Sequence, residues 1–228
     1  MTYNIHRGRG LDRKVDLGRT AAVIASYNPD VVALQEVDIG TKRSDRVDQT
    51  AELAARLGME MVFAPNVEYA DGERYGLATL VRLPLRSTRQ VRLPIKYRSE
   101  PRSSLITVLG WGAHHVVELI NTHLSILFRE RPGQVAAIAA EMASEALIVA
   151  GDFNMTPWSP AYRALRHGSL LRSATRFART WPAPAPVVPL DHILYRGDVE
   201  LVRGQTWLGG PARSASDHLP VVVELHAA

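Results

Sequence analysis

Short apolar runs alternate with segments of helical spacing along most of the chain. Residues 16–28, "DLGRTAAVIASYN", and 46–58, "RVDQTAELAARLG", repeat apolar positions at helical intervals, and Gly58 is placed to end the second helix. Between them lies "PDVVALQEVD", residues 29–38, an apolar run of strand length. A third helix is predicted over residues 130–143, "ERPGQVAAIAAEMA".

The remaining apolar runs predict more strands. A short first strand ends at Asn4, and the others cover residues 76–83, 103–111, 114–124, 145–153, 190–196 and 218–225. Strands that both alternate with helices and follow one another directly indicate an α/β protein with mixed sheets and outer helices. The proline-rich segment 180–189 is predicted to be a stiff surface loop, not a domain boundary.

Composition limits what these elements can build. At 228 residues, with 46% hydrophobic and 22% charged residues, the chain fits one domain over residues 1–228. No run approaches the roughly 18 to 20 apolar residues of a membrane helix, and the N-terminus lacks a signal-peptide layout, so we expect a cytoplasmic protein. The first strand is shorter than the roughly five or six residues of a usual strand. Whether the natural N-terminus is longer therefore stays open.

The chain contains no cysteine. This excludes disulfides, thiolate-bound zinc and a thiol nucleophile, so any metal must bind to oxygen or imidazole. The net charge of +4 suits an anionic partner, but the basic residues are scattered and form no run.

Six predicted strands end on polar or charged residues. These are Asn4 and His6, Glu36, His123, Asp152 and Asn154, Asp191, and Asp217 and His218. Any single one is explained as a turn or cap residue, which Asp and Asn favour. A charged group beside a buried strand is costly unless it is paired or metal-bound, so six such endings predict a common cleft. Carboxylates, amides and imidazoles around one cleft suit a hard divalent cation and hydrolysis of a phosphate ester.

The motifs "TYNIHRG", "ALQEVD", "INTHL", "VAGDFN", "LDHIL" and "SDHLPV", in this order, resemble those of the endonuclease/exonuclease/phosphatase superfamily. That superfamily includes deoxyribonuclease I, apurinic endonucleases, neutral sphingomyelinases and inositol polyphosphate 5-phosphatases. The resemblance runs from Thr2 to about Leu225, and "YNIHRG" with "SPAYRAL" is similar to a bacterial subgroup of uncharacterised metal-dependent hydrolases. It implies a four-layer α/β sandwich, in which two mixed β-sheets pack face to face with helices outside.

The resemblance also implies a metal site. Glu36 matches the principal metal ligand, Asn4 matches an asparagine near the metal and the nucleophilic water, and Asp217 matches an acid beside the metal. The implied ion is Mg²⁺ or Mn²⁺, both of which prefer oxygen ligands.

The catalytic residues follow from the same motifs. Asp152 matches the acid that orients or deprotonates the water, and Asn154 matches a donor to the phosphate. His218 matches the histidine that contacts the scissile phosphate, held by Asp191, and His123 matches a second histidine on that side. An aspartate on one imidazole nitrogen raises the pKa of the ring, so His218 serves either as base or as cationic clamp. The choice of Asp152 or His218 as the base stays open.

Other residues carry weaker signals. His6 and Arg102 are candidate substrate contacts, against a local role for His6 and a surface position for Arg102. His192 points away from Asp191 on its strand and is predicted to be structural, and His114 and His115 fall in a predicted surface turn.

Several further side chains stand near the predicted cleft. The arginines among them are candidates for an anion contact, and the two tryptophans either line a substrate pocket or pack in the core or in loops: Arg43, Arg46, Arg129, Arg131, Trp158 and Trp181.

These patterns together predict a metal-dependent phosphoesterase, with a phosphodiesterase acting by in-line attack of water as the main hypothesis. The expected substrate partner is a nucleic acid, a phospholipid headgroup or a small phosphodiester. We expect the enzyme to be a monomer without an obligate protein partner. The sequence shows no apolar lip or amphipathic surface helix of the kind expected for lipid substrates. The alternatives are a phosphomonoesterase on a soluble sugar or inositol phosphate, and a non-catalytic module that binds nucleic acid or a phospholipid headgroup.

Overall fold

The computed structural model describes residues 1–112, 115–175 and 177–227. Its helices are α1 (Leu17–Ala25), α2 (Gln49–Leu57), α3 (Arg131–Ala140), α4 (Pro160–Gly168) and α5 (Ala212–Ala215), with two short 3-10 turns at His6–Gly8 and Lys42–Ser44. Its strands are β1 (Thr2–Asn4), β2 (Val31–Ile39), β3 (Glu60–Glu68), β4 (Arg74–Val81), β5 (Leu85–Leu93), β6 (Arg102–Trp111), β7 (His115–His123), β8 (Leu147–Asp152), β9 (Arg172–Ser173), β10 (Asp191–Arg196), β11 (Val199–Thr206) and β12 (Val221–Ala227).

The ends of the first two long helices are set by local side chains. The carboxylate of Asp16 accepts the Arg19 N–H at 2.9 Å, and Asp48 caps α2 in the same manner. Each such cap is worth about 1 kcal/mol. Gly58 ends α2 at φ 61°, as its sequence position predicted.

The strands form two six-stranded sheets. Their orders are β11-β12-β1-β2-β4-β3 and β5-β6-β7-β8-β10-β9. The pairs β1–β2 and β7–β8 are parallel and the other pairs are antiparallel, so both sheets are mixed, as predicted.

The core is divided by these two sheets into three apolar layers. Ile24 of α1 and Leu53 of α2 pack on the first sheet, and Ile138 and Leu165 of α3 and α4 pack on the second. A third cluster lies between the sheets and contains small side chains such as Ala150. The predicted four-layer α/β sandwich with outer helices is therefore confirmed. Among the described residues, no helix is both long and apolar enough to cross a bilayer.

A buried polar contact joins the two sheets near their centre. Gln35 of β2 donates to Asn121 Oδ1 of β7 at 2.8 Å. The Asn121 amide in turn donates to the carbonyls of Leu34 at 3.1 Å and Ala78 at 2.9 Å. Since these groups are fully buried, each needs its partner, and the contact sets how the sheets face each other.

The eight interior strands coincide with the predicted apolar runs, whereas β3, β5, β9 and β11 are additional. All four are sheet edges. The proline-rich segment is a loop, as predicted, although it is anchored more firmly than a surface loop would be. Thr180 and Ala183 within it are fully buried.

Candidate active site

The predicted strand endings meet at one edge of the sandwich. In the second sheet, His123 at the end of β7 lies opposite Asp152 at the end of the parallel strand β8. Asp191 starts β10 and pairs directly with Asp152, because β10 runs antiparallel to β8. The sheet pattern itself therefore brings two aspartates and a histidine together.

Asn4 connects the two sheets at this edge. Its side-chain amide donates to Glu36 Oε1 at 3.1 Å and to Asp152 Oδ2 at 3.0 Å, while its Oδ1 accepts the backbone N–H of His6. Glu36 lies at a bulge of β2 with φ 57°, a left-handed conformation that costs about 1 kcal/mol or more. The bulge leaves the Glu36 side chain partly exposed at 19%, whereas Asp152 is buried.

Asp152 lies at the centre of the site. Its Oδ2 is 3.5 Å from His123 Nε2 and 3.8 Å from His218 Nε2, and its Oδ1 accepts the Asn154 N–H at 2.8 Å. Burial raises the pKa of Asp152 to about 7, with a further contribution from the negative charge of Asp191. A carboxylate with this pKa exchanges a proton near neutral pH, as a general base must.

His218 and Asp191 form a buried pair. His218 Nδ1 lies 2.8 Å from Asp191 Oδ2. Burial alone would lower the pKa of His218, but Asp191 and Asp152 outweigh it and raise the pKa to about 10. His218 is therefore a cation at neutral pH, with its Nε2 directed toward Asp152.

His123 is the neutral histidine of the site. Burial lowers its pKa well below the usual value, and the charges of Arg102 and His218 lower it further. Arg102 Nη1 lies 3.0 Å from His123 Nδ1, and because a guanidinium only donates, Nδ1 accepts and Nε2 carries the proton. Asn154 Nδ2 lies 3.1 Å from that second nitrogen and donates to the Leu124 carbonyl.

Asp217 and His6 lie at the open rim. His6 Nδ1 is 3.5 Å from Asp217 Oδ1, and the Asp217 side chain is 38% exposed. Ser216 supports this corner, because its hydroxyl donates to the Asn4 carbonyl at 2.8 Å and accepts the His218 N–H at 3.2 Å. The whole predicted set thus lies in one connected network.

Comparison with known proteins agrees with this geometry. Residues 1–218 match the endonuclease/exonuclease/phosphatase family. The chain belongs to this family.

Solved structures show the same fold. An endonuclease/exonuclease/phosphatase from Beutenbergia cavernae DSM 12333 is 24% identical at a TM-score of 0.81, covering 99% of this chain and 70% of that one. The human Nocturnin catalytic domain with bound sulfate is 22% identical at 0.75, covering 99% and 93%. A mannosyl-6-phosphatase from Bacteroides thetaiotaomicron VPI-5482 is 18% identical at 0.78, covering 99% and 98%. Among curated proteins, none is similar enough in sequence to count as a relative.

The donor set of this endonuclease/exonuclease/phosphatase chain fits a hard divalent cation. Asp152, Asp191 and His218 offer ligand atoms that all lie within 4.8 Å of one another, and Asp191 Oδ1 is buried without a hydrogen-bond partner. Glu36 is more accessible, and its nearest cation, Arg7, is 4.0 Å away. Since His218 is protonated at neutral pH and its Nδ1 contacts Asp191, Glu36 is the more available donor to a cation.

The structure decides between several alternatives left by the sequence. Arg102 is buried against His123 and paired with Glu100 at 2.6 Å, so a surface position for it was wrong. His192 is buried and packs on Phe153, which confirms a structural role.

Two adjacent histidines have different outcomes. His115 is exposed at the start of β7, as predicted, and His114 lies outside the described residues.

Trp158 is 61% exposed and stacks on Phe177 in a loop. Trp181 is likewise partly exposed, so neither tryptophan belongs to the core.

Three supporting residues were not found from the sequence. Ser216 holds Asn4 and His218, Glu100 pairs with Arg102, and the Thr180 hydroxyl accepts the Asp191 N–H at 3.3 Å. Ser216 opens the quoted motif "SDHLPV" and Glu100 stands two residues before Arg102, so their position beside predicted site residues was the available signal.

An apolar lip follows His123 along the chain, contrary to the sequence expectation. Ile126 and Phe128 in the loop after β7 are 68% and 70% exposed. The loop is held beside the site, because Asn154 donates to the Leu124 carbonyl and Arg131 donates to the Ser125 carbonyl.

Proposed function

We propose that this chain is a divalent-metal-dependent phosphodiesterase that cleaves its substrate by in-line attack of water. The observation that carries the proposal is the buried group of Asp152, Asp191 and His218, joined to Glu36 through Asn4. In it, a carboxylate that titrates near neutral pH faces a histidine that is protonated there. This is the acid–base arrangement that hydrolysis requires.

Glu36, Asn4 and Asp217 are the residues we assign to the metal, Mg²⁺ or Mn²⁺. When bound, such an ion neutralises charge on the phosphate. The partly exposed carboxylates of Glu36 and Asp217 leave this side of the network open to solvent and ligand.

Asp152 accepts the proton of the attacking water in this proposal. Its pKa of about 7 makes it a better base than an ordinary carboxylate, whereas His218, with a pKa of about 10, is already protonated. Cationic His218 therefore binds a phosphoryl oxygen or protonates the leaving oxygen, and Asp191 keeps it oriented.

Asn154 and His123 hold the phosphoryl group from the other side. The neutral ring of His123 directs its Nε2 proton toward Asp152 and the open edge, and Arg102 fixes the tautomer. Arg102 and His6 remain proposed substrate contacts.

The charge of the site supports a diester. Four carboxylates, those of Glu36, Asp152, Asp191 and Asp217, belong to one network. They disfavour the second negative charge of a monoester more than the single charge of a diester.

The test is hydrolysis of bis(p-nitrophenyl) phosphate beside p-nitrophenyl phosphate, with Mg²⁺, Mn²⁺ or EDTA. Asp152→Asn and His218→Ala remove the base and the cation. Asp198→Asn and His167→Ala are matched controls, because both side chains are exposed outside the site.

We expect metal-dependent cleavage of the diester that is lost in the two site variants and kept in the two controls. Preferential release of phosphate from the monoester would favour the phosphomonoesterase instead. Binding without turnover of any ester by folded, metal-loaded protein would favour the binding module. Because of the apolar lip at Ile126 and Phe128, substrate screening should include phospholipid headgroups besides nucleic acids.

A further inference from the structure

Four arginines line a separate pocket next to the candidate active site. The pocket has a volume of about 310 Å³ and is lined by Arg7, Arg9, Arg13, Val15 and Arg43. We call it the arginine pocket. Among its lining residues there is no acidic side chain.

The positive charge of the arginine pocket is only partly balanced. Asp38 accepts two hydrogen bonds from Arg43, at 2.7 Å and 2.9 Å, and Glu36 lies 4.0 Å from Arg7. Arg9 and Arg13 form no ion pair with a carboxylate of the described residues. Two guanidinium groups therefore remain uncompensated in a concave site.

The nearby acid Asp12 does not serve the pocket. It binds Arg19 in a two-pronged contact at 3.0 Å and 3.1 Å. This pairing leaves Arg13, which is exposed, free to meet an external anion.

The backbone around the arginine pocket adopts an unfavourable left-handed conformation at several residues. His6, Arg7 and Gly8 all have positive φ, at 47°, 61° and 70°, and Arg13 has φ 66°. The Gln49 side chain donates to the Arg7 carbonyl at 2.7 Å, and Asp16 donates its N–H to the Gly8 carbonyl at 2.9 Å. Strained backbone that is held in place by several surrounding contacts is found mainly at functional sites, where it fixes the positions of particular side chains.

Arg7 joins the arginine pocket to the active site. It follows His6, which contacts Asp217, and its own guanidinium reaches toward Glu36. An anion in the pocket therefore lies beside the phosphate that Glu36 and its neighbours would receive.

We infer that the arginine pocket binds a second phosphate group carried by the same substrate molecule as the scissile phosphate. The inference rests on the proposed function for the identity of the first phosphate. Guanidinium groups bind phosphate oxygens in pairs, and two or more of them around one cavity suit a phosphate better than a carboxylate or a neutral group. The substrate class is thus a phosphodiester that carries a second phosphate group, supplied either by a 5′-phosphorylated nucleotide chain or by a phosphorylated sugar.

Calorimetric titration tests this without turnover. The full chain carrying Asp152→Asn is titrated with the 5′-phosphorylated dinucleotide pTpT and with TpT, which contain the same phosphodiester with and without a second phosphate, in the presence of Mg²⁺. The methyl diester of glucose 1-phosphate, with and without a 6-phosphate group, forms a second matched pair, which distinguishes a sugar carrier from a nucleotide. Each pair is measured again on protein that also carries R9Q/R13Q, R13E or the control R86Q/R163Q, which removes two exposed arginines elsewhere.

In one of the two pairs, we expect the probe with the second phosphate to bind about tenfold more tightly than its counterpart without it, and the preference to disappear in R9Q/R13Q and R13E but not in R86Q/R163Q. Thermal melting verifies that each variant is folded. Equal affinity within both pairs, or a preference that survives in R9Q/R13Q, would overturn the inference. Because the readout is binding, a failure of the proposed phosphodiesterase activity leaves this test unaffected.

Discussion

Replacing Asp191 by Asn tests how the site sets the charge of His218. Asn keeps an oxygen acceptor at the same position, so the hydrogen bond to His218 Nδ1 is retained while the negative charge is lost. In the folded protein this carboxylate is fully buried and lies 2.8 Å from the ring, and it is a main cause of the raised pKa of His218.

The expected magnitude follows from the contact. An opposite charge this close shifts a pKa by about 1–3 units, and each unit corresponds to about 1.4 kcal/mol. Because Asp191→Asn removes that charge and keeps the hydrogen bond, the titration midpoint of His218 should fall by about 1–3 pH units. Asp152, 3.8 Å away, is retained and continues to favour the protonated ring.

The assay is an NMR titration of the imidazole resonances in EDTA, so that no metal competes for the site. Asp198→Asn is the matched control, since it removes an exposed carboxylate beyond the far end of β10. A His218 midpoint that stays within about 0.3 pH unit of the original protein would refute the reasoning.

The pairing of His218 with Asp191 also predicts how the stability of the fold depends on pH. His218 has a folded pKa of about 10, above the usual 6.5. Its protonation therefore stabilises the fold fully below about pH 6.5, and this contribution is lost as the pH rises through 10. Urea unfolding between pH 6 and 10 should show a smaller decline in Asp191→Asn than in the original protein, and an equal decline would contradict the pairing.

Three further outcomes are expected elsewhere in the molecule. Glu130→Gln should lower the free energy of unfolding in urea by about 1–3 kcal/mol at pH 7, because the buried carboxylate accepts two backbone N–H groups and a serine hydroxyl. Since these bonds lower its pKa to about 2, the difference should shrink as the pH falls from about 4.5 toward 2, and a constant difference would contradict them. Asn121→Ala should cost about 2–4 kcal/mol in the same assay, because two buried carbonyls lose their donor, and a loss below about 1 kcal/mol would show that the sheets do not depend on this contact. Arg102→Lys should lower kcat for the diester substrate by about tenfold, because the ammonium group lacks the planar guanidinium geometry that holds the Nη1 donor against both His123 and Glu100; rates equal to those of an Arg86→Lys control would exclude this role.

The comparison of predicted and observed strands has a simple physical basis. Every strand found from the sequence lies between two neighbouring strands of a sheet and contributes apolar side chains to the core. The four strands that were missed are edges. In β5, "LRSTRQVRL", five consecutive residues are exposed, and β3 contains Pro65, which weakens its strand signal.

The site shows a similar division. Asp152, Asp191 and His123 were predictable because each interrupts an apolar run that must be buried, and burying such a group needs a compensating partner. The choice of partner was not predictable. Arg102 supports His123 because β6 and β7 are neighbours in the sheet, whereas Ser216 supports Asn4 and Thr180 supports Asp191 from loops whose paths are set by the packing of other elements.

The sequence alone thus determined the interior strands, the helices α1, α2 and α3 and the residues that gather at the strand ends, because periodicity, capping and burial are local properties of the chain. Only the tertiary structure decided which charges these residues carry. Asp152 near pH 7, cationic His218 and neutral His123 owe their protonation states to neighbours from distant segments and to shared exclusion from water. The arginine pocket likewise exists only because one strained turn and two loops come together in the folded chain. It therefore cannot be predicted from any short stretch of the sequence.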